Sequence, residues 1–292
     1  MDAAATDEQS EPTEEVVIAE HPSQERVVEA LGESWRALAS FAADFDDEQW
    51  NTASRLPGWS VRDVYAHILG TEKMLAGEPA PDINVGSPAH VHNEIGATNE
   101  AWVRSLATLE PADLLAEFIS VTDDRIAALN AMSAEEWAAA SWTPAGDSTM
   151  GRWMHIRVFD CWVHEQDVRV ALGLPGGLDG AASALSLLEV VIALGFIVGK
   201  RGGAEDGSRV EFRLFGGDKL RLLRVAVDRG RASVVETFDG PATSTLTMPY
   251  ELFMRLTSGR RSASDALADG VIQLDGDTRT AERIARNLGF TV

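Results

Sequence analysis

The chain has 292 residues, 45% of them hydrophobic and 24% charged, a globular composition with enough length to bury a sizeable core and a prior for two domains. A formal net charge of -21 repels phosphate backbones and anionic lipid surfaces at long range and argues against nucleic acid and membrane as general partners. Cys161 is the single cysteine, which excludes an intrachain disulfide framework and any multi-cysteine zinc or iron–sulfur site.

From Asp2 to Glu25 there are eight acidic residues and no Lys or Arg. This stretch mixes Ala, Thr, Ser, Pro and Glu around a short Val16-Val17-Ile18 run, so residues 1–21 are expected to be a flexible acidic tail. Acidic residues stand where a signal peptide carries basic ones, and no apolar run reads as long enough to span a membrane. The expected location is cytoplasmic.

A first amphipathic helix is expected over about 22–45, from Val27, Leu31, Trp35, Leu38 and Phe41 at helical spacing. The turn Leu56-Pro57-Gly58-Trp59-Ser60 follows, with Ser60 as N-cap and Asp63 three residues on, so a second helix should run over 61–75. Its apolar stripe is Val61, Val64, Tyr65, Ile68 and Leu75, and His67 lies between the flanks of that stripe. Residues 77–93, with three prolines and Gly77 and Gly86, read as a long loop that gates access to a site. A third helix is expected over 94–109, broken at Pro111 and resumed to 129, and a capping box at Ser133 opens a short helix. Residues 141–149 read as a loop. A fourth long helix over 150–172 ends at Gly173 and Pro175.

After residue 176 the pattern changes. A helix over 181–198 and a glycine-rich stretch precede alternating runs at 210–215, 220–227, 232–238 and 243–248, separated by turns, and helices at 249–257 and 277–288 complete the chain. The expected fold class is therefore α + (α+β): a four-helix bundle over 22–176 followed by a smaller α+β domain over 177–292.

The fourth helix carries the chemistry. Arg157, Asp160, His164 and Asp167 form a polar row at spacings of three and four on an otherwise apolar helix, and buried charges need internal partners. Asp160 and His164 share one face, and His67 on the second helix can meet them across a bundle. Two nitrogens and one oxygen would leave a coordination position open, which distinguishes a catalytic cation site from a closed structural one. His90 and His92 in Pro88-Ala89-His90-Val91-His92 are rival ligands on a loop, and Cys161 reads as a small buried hydrophobe. No metalloprotease, esterase, P-loop or dinucleotide fingerprint is present.

Two segments carry a resemblance: Leu56-Pro57-Gly58-Trp59-Ser60-Val61-Arg62-Asp63-Val64-x-Ala66-His67-Ile68, and Arg157-x-x-Asp160-x-x-x-His164-x-x-Asp167-x-x-x-Ala171-x-Gly173. With these the chain resembles the mycothiol-dependent maleylpyruvate isomerase family of the DinB-like superfamily, over about residues 22–175. The second half is similar to that family's sterol-carrier-like α+β domain. The resemblance implies a divalent metal, usually zinc, on His67, Asp160 and His164, with Asp160 standing where the isomerase has glutamate. It also implies mycothiol as thiol cosubstrate and a small-molecule electrophile as its partner, in a transferase or isomerase, with Arg157 and Asp167 as the candidate catalytic residues. Arg157 is read as a partner of Asp160 or of a substrate carboxylate, and Asp167 as a partner of a ligand histidine or a helix cap. A non-catalytic ligand-binding protein and a metal-dependent hydrolase are the alternatives. Abundant Ala and Gly, and twenty-two arginines beside three lysines, fit a GC-rich bacterial, actinobacterial source.

Overall fold

The computed structural model describes residues 13–15, 21–106, 108–216 and 219–291. It divides into two compact units, residues 20–189 and residues 190–292 together with 1–19.

In the first unit, α1 (Gln24–Ala42), α3 (Val61–Leu75), α5 (Pro111–Ala131) and α7 (Met150–Leu172) make the four-helix bundle, with α2 (Asp47–Trp50), α4 (Glu94–Leu106) and α6 (Ala134–Ala138) between them. The helices pack as their stripes dictate: α1 on α5 and α7, and α3 on α4, α5 and α7. Val27, Leu31, Trp35 and Leu38 of α1, Val64, Tyr65 and Ile68 of α3 and Leu114, Phe118 and Leu129 of α5 are all buried. Tyr65 is fully buried and donates its hydroxyl to the Leu38 carbonyl at 2.7 Å, which satisfies the one polar atom on that ring.

Local signals set the two helices that matter most. Ser60 is the expected N-cap and forms a capping box with Asp63, each accepting the other's backbone N–H, so α3 starts two residues after Trp59. α7 is capped by the Thr149 hydroxyl and stopped by Gly173 at φ 67, a left-handed conformation that suits glycine. Residues 141–149, expected as a loop, instead belong to the hairpin β2 (Ala140–Thr143) and β3 (Gly146–Thr149), which packs against α7. Gly146 at φ 103 makes that turn possible.

α8 (Gly180–Gly195) continues as a short π-helical stretch, Phe196–Arg201. The sequence places the domain boundary at 176/177, but the compact units divide at 189/190, inside this helix. The reason is a set of contacts distant in sequence. Glu33 of α1 accepts the backbone N–H groups of Ala181 and Ala182 at 2.7 and 3.2 Å, and Glu189 takes both terminal nitrogens of Arg152 at 2.7 Å. The reading that no segment approaches a membrane span is also corrected: Gly180–Arg201 has the length and apolar composition to cross a membrane, with a mean hydropathy of 2.3. Two thirds of its apolar window is buried inside the protein, as in the core helix of a globular fold.

The second unit is a six-stranded sheet in the order β1-β5-β4-β7-β8: β1 (Thr13–Glu15), β5 (Lys219–Asp228), β4 (Arg209–Gly216), β7 (Ser244–Pro249) and β8 (Gln273–Gly276), with β6 (Arg231–Val234) also on β5. β4 and β5 are antiparallel, β4 and β7 parallel with Phe212 opposite Leu246. β5 and β6 join through Arg229 and Gly230, both at positive φ, the backbone of a tight hairpin turn. Val210, Phe212, Leu214, Leu223, Val225, Leu246 and Met248 are buried beneath α9 (Tyr250–Thr257) and α11 (Thr278–Arg286), and a short α10 (Ala263–Ala268) precedes β8. Thr13–Glu15, expected within the tail, runs parallel to β5 at Leu220–Leu222, where the strand edge offers unpaired backbone groups. The remainder of the expected tail up to residue 20 lies outside the described residues.

One glycine fixes the spacing of α3 and α4. A Cβ on Gly70 would lie 2.5 Å from Cβ of Trp102, whose own stem cannot swing away. Alanine gains about 1 kcal/mol of helix propensity, while overpacking costs about 1–3 kcal/mol. Gly70→Ala is therefore expected to lower stability by up to about 2 kcal/mol in chemical denaturation, and a variant more stable than the parent would contradict this packing.

Candidate metal centre

Among the described residues, His67, Asp160 and His164 form one group in which a ligand atom from each lies within 4.8 Å of the others. α3 supplies His67, three residues into the second turn after the Ser60 cap. α7 supplies the other two, four residues apart on one face. His67 Nε2 lies 3.4 Å from Asp160 Oδ2, and His164 Nε2 lies 3.5 Å from Asp160 Oδ1. These separations are close to the roughly 3.4 Å edge of a tetrahedron with bonds near 2.1 Å. The two imidazoles meet edge to face with centroids 4.7 Å apart.

Both ring nitrogens of His67 are buried without a hydrogen-bond partner. The 3.4 Å approach to Asp160 brings electrostatic attraction but lacks hydrogen-bond geometry. An orphaned imidazole in a protein interior is costly, and a cation shared with a carboxylate and a second imidazole satisfies it. On this observation and on the chemistry of the donors, the three residues fit a divalent metal ion.

The electrostatics separate the two histidines. Burial pushes His67 down to about 4, more than the neighbouring Asp160 carboxylate restores, so its ring is neutral near pH 7 and its nitrogens are free to ligate. Burial also acts on His164, but Asp160 and then Asp167 outweigh it and hold its pKa above the usual value. Asp160 resists the effect of its own burial because Arg157, and then His164, keep its carboxyl well below the usual carboxylate range. Its side chain is 34% exposed, whereas those of the two histidines are 5% and 6% exposed, so the open flank of the group is at the carboxylate.

Around this group lies a layer of committed side chains. Asp167 Oδ2 lies 3.1 Å from His164 Nδ1, the contact through which a proton on Nδ1 is donated to the carboxylate, and Nε2 faces Asp160. Arg157 donates from Nη1 to Asp160 Oδ2, from Nε and Nη2 to Glu72 Oε1 at 3.0 and 2.8 Å, and from Nη2 to Cys161 Sγ at 3.2 Å. With its guanidinium buried and occupied in this way, Arg157 pairs with Asp160 and Glu72. Trp59, from the turn before α3, packs its indole against His67 and His164 at centroid distances of 5.3 and 6.5 Å.

The rival histidines are elsewhere. His90 Nε2 meets Glu100 Oε2 at 3.1 Å, the same oxygen that accepts the Trp59 indole N–H at 3.0 Å, and its ring lies against Gly58. His90 thus ties the 77–93 loop to the wall of the site without joining the ligand group, and His92 is not part of that group. His155 is buried beside Leu185 and Glu189, on the bundle's contact with α8. Burial pushes the Cys161 thiol up to about 12 against the pull of Arg157, which suits an inert core residue.

Sequence reading alone missed Glu72, Trp59 and Arg125. The signal for Glu72 was present: it falls at the vacant position between Ile68 and Leu75 of the α3 stripe, an acidic residue where an apolar one is expected.

Residues 31–169 match the family described as the mycothiol maleylpyruvate isomerase N-terminal domain, and residues 206–288 match the SCP-2 sterol transfer family. No curated protein matches the chain. The structure of a mycothiol-dependent maleylpyruvate isomerase superposes with a TM-score of 0.52 at 16% identity, covering 82% of this chain and 91% of that one. A histidine-to-alanine mutant of such an isomerase gives the same TM-score at 14% identity, covering 87% and 93%. At these identities the superpositions establish the shared fold alone, and the family models assign the helical bundle and the sheet unit that follows it. Over residues 31–169 the chain thus matches the mycothiol maleylpyruvate isomerase N-terminal domain family, and it shares the fold of the mycothiol-dependent maleylpyruvate isomerases.

Proposed function

We propose that the chain is a metal-dependent enzyme that uses a low-molecular-weight thiol, mycothiol, against an electrophilic small molecule, as a thiol transferase or isomerase. The observation that carries this reading is the convergence of the partnerless His67 imidazole on the Asp160 and His164 pair. His67, Asp160 and His164 would hold the cation, and their N, N and O set is suited to zinc. A cation so held supplies, when bound, the positive charge that lets a thiol shed its proton near neutral pH.

The protein's own groups act around that point. Asp167 fixes the His164 tautomer so that Nε2 faces inward, and Arg157 takes Oδ2 of Asp160 and so sets which carboxylate oxygen is free. Asp167 is a positioning residue in this reading and Arg157 a restrained neighbour of the carboxylate ligand, where the sequence had offered both as catalytic. Trp59 keeps water from the outer faces of the two imidazoles. The exposed flank of Asp160 is the side from which a thiol arrives, and the 77–93 loop, anchored by His90, gates that approach. Addition of the sulfur to an electrophilic carbon yields a thioether in a transferase. The same addition to a cis double bond, followed by rotation and departure of the sulfur, is an isomerisation. A cytoplasmic location fits the supply of such a thiol.

The direct test is incubation of zinc-loaded protein with mycothiol and a panel of electrophiles that includes cis-unsaturated acids. Thioether formation or cis-to-trans conversion is expected, and hydrolysis alone, or no reaction with any member, would oppose the reading. Elemental analysis of purified variants is expected to find zinc lost in His67→Ala and His164→Ala and retained in His90→Ala and His92→Ala. Unchanged stoichiometry in the first two would remove the site. Because the reacting sulfur comes from outside the chain, native protein is expected to resist alkylation of Cys161 by iodoacetamide at pH 8 and to be labelled only after unfolding. Rapid labelling of the folded protein would contradict the burial of that thiol.

A further inference from the structure

Glu72 is 1% exposed and lies one turn and a half beyond His67 on α3, inside the bundle. Its two oxygens serve two guanidinium groups: Oε1 accepts from Arg157 Nε and Nη2 at 3.0 and 2.8 Å, and Oε2 accepts from Arg125 Nε at 3.0 Å. Arg125 itself is buried and reaches Met154 Sδ at 3.7 Å. Arg157 has one further carboxylate contact, from Nη1 to Asp160 Oδ2, and through it the network touches the candidate ligand group. Four charges, two cations and two anions, are therefore linked across α3, α5 and α7.

A guanidinium facing a single carboxylate prefers the two-pronged arrangement in which both oxygens are taken. Arg157 does not adopt it with Asp160. Its Nε edge and Nη2 are held by Glu72, so one nitrogen is left for Oδ2, which also lies 3.4 Å from His67 Nε2, while Oδ1 stays 3.5 Å from His164 Nε2. We propose that Glu72 is a positioning residue for the metal centre: by occupying Nε and Nη2 of Arg157, it restricts that guanidinium to one oxygen of Asp160 and leaves Oδ1 for the cation. The inference rests on the proposed metal site and adds to it the device that prevents an internal arginine from competing for the carboxylate ligand.

Without the Glu72 carboxylate, Arg157 is free to turn and take both oxygens of Asp160. Removing the arginine as well frees the ligand again. This opposition of signs separates the proposal from a plain packing role, in which two lesions in one buried network add.

The full-length protein, stripped of metal, is titrated with Zn2+ in competition with a chelator of known affinity, and each variant is checked for native helix content and thermal stability. Glu72→Gln is expected to bind zinc about 10–100-fold more weakly than the parent. Glu72→Gln/Arg157→Met is expected to return to within about two- to three-fold of the parent, and Arg125→Met, which leaves the Glu72–Arg157 contact in place, to stay within the same range even where it lowers stability. Should Glu72→Gln fail to fold, Arg157→Met alone decides, because removal of the competitor is expected to leave zinc binding at least as tight as in the parent. Parental affinity in Glu72→Gln, a double variant weaker than the single one, or weakened binding in Arg157→Met would overturn the proposal while the metal site stands. A parent protein that takes up no zinc would remove both.

Discussion

The bundle is organised around a single electrostatic problem: α7 carries Arg157, Asp160, His164 and Asp167 into the interior, and α3 brings His67 and Glu72 against them. A charge in a protein interior is tolerated only when a partner answers it, and an unanswered one costs several kcal/mol in order of magnitude. Most of the row is answered by the chain itself. Glu72 and Asp160 compensate Arg157, and Asp167 compensates His164. His67 is the member whose polar atoms find no hydrogen bond, and a cation beside Asp160 and His164 is what would complete the arrangement.

The same arrangement divides the labour between rigid and accessible parts. The histidines and Glu72 are almost wholly buried, locked by helix geometry and by Trp59, so their positions are set by the fold rather than by a ligand. Asp160 alone in the group keeps a third of its side chain open, and its two oxygens are divided between partners, Oδ2 between Arg157 and His67 and Oδ1 toward His164. Control of that carboxylate is then control of the site. The chemistry proposed for the thiol depends on it more than on any group that would touch a substrate.

The helices and the shared face of Asp160 and His164 were legible in the sequence because their causes are local. Ser60 and Asp63 announce the start of α3, Gly173 announces the end of α7, and a four-residue step puts Asp160 and His164 on one face without any knowledge of tertiary contacts. The hairpin at residues 140–149 was not legible, since its strands are four residues each and rely on α7 for support. Strand β8 and helix α10 are similarly short, and Thr13–Glu15 pairs with a strand more than two hundred residues away. The compact units divide inside α8 and not at 176/177 for the same kind of reason: Pro175 and the nearby glycines look like a linker, but Glu33 binds the start of α8, and Arg152 its middle, to the bundle. Glu72 was visible as an acidic residue on an apolar stripe, yet its partners Arg125 and Arg157 lie 53 and 85 residues away, and periodicity carries no information about such pairs.

The measurement that bears most directly on the central claim is X-ray absorption at the zinc edge of the reconstituted protein, before and after addition of mycothiol. The account predicts two imidazole nitrogens and one carboxylate oxygen in the free protein, with a sulfur ligand appearing once the thiol is added. A four-coordinate shell already closed by protein side chains, or a shell unchanged in Asp160→Ala, would contradict it.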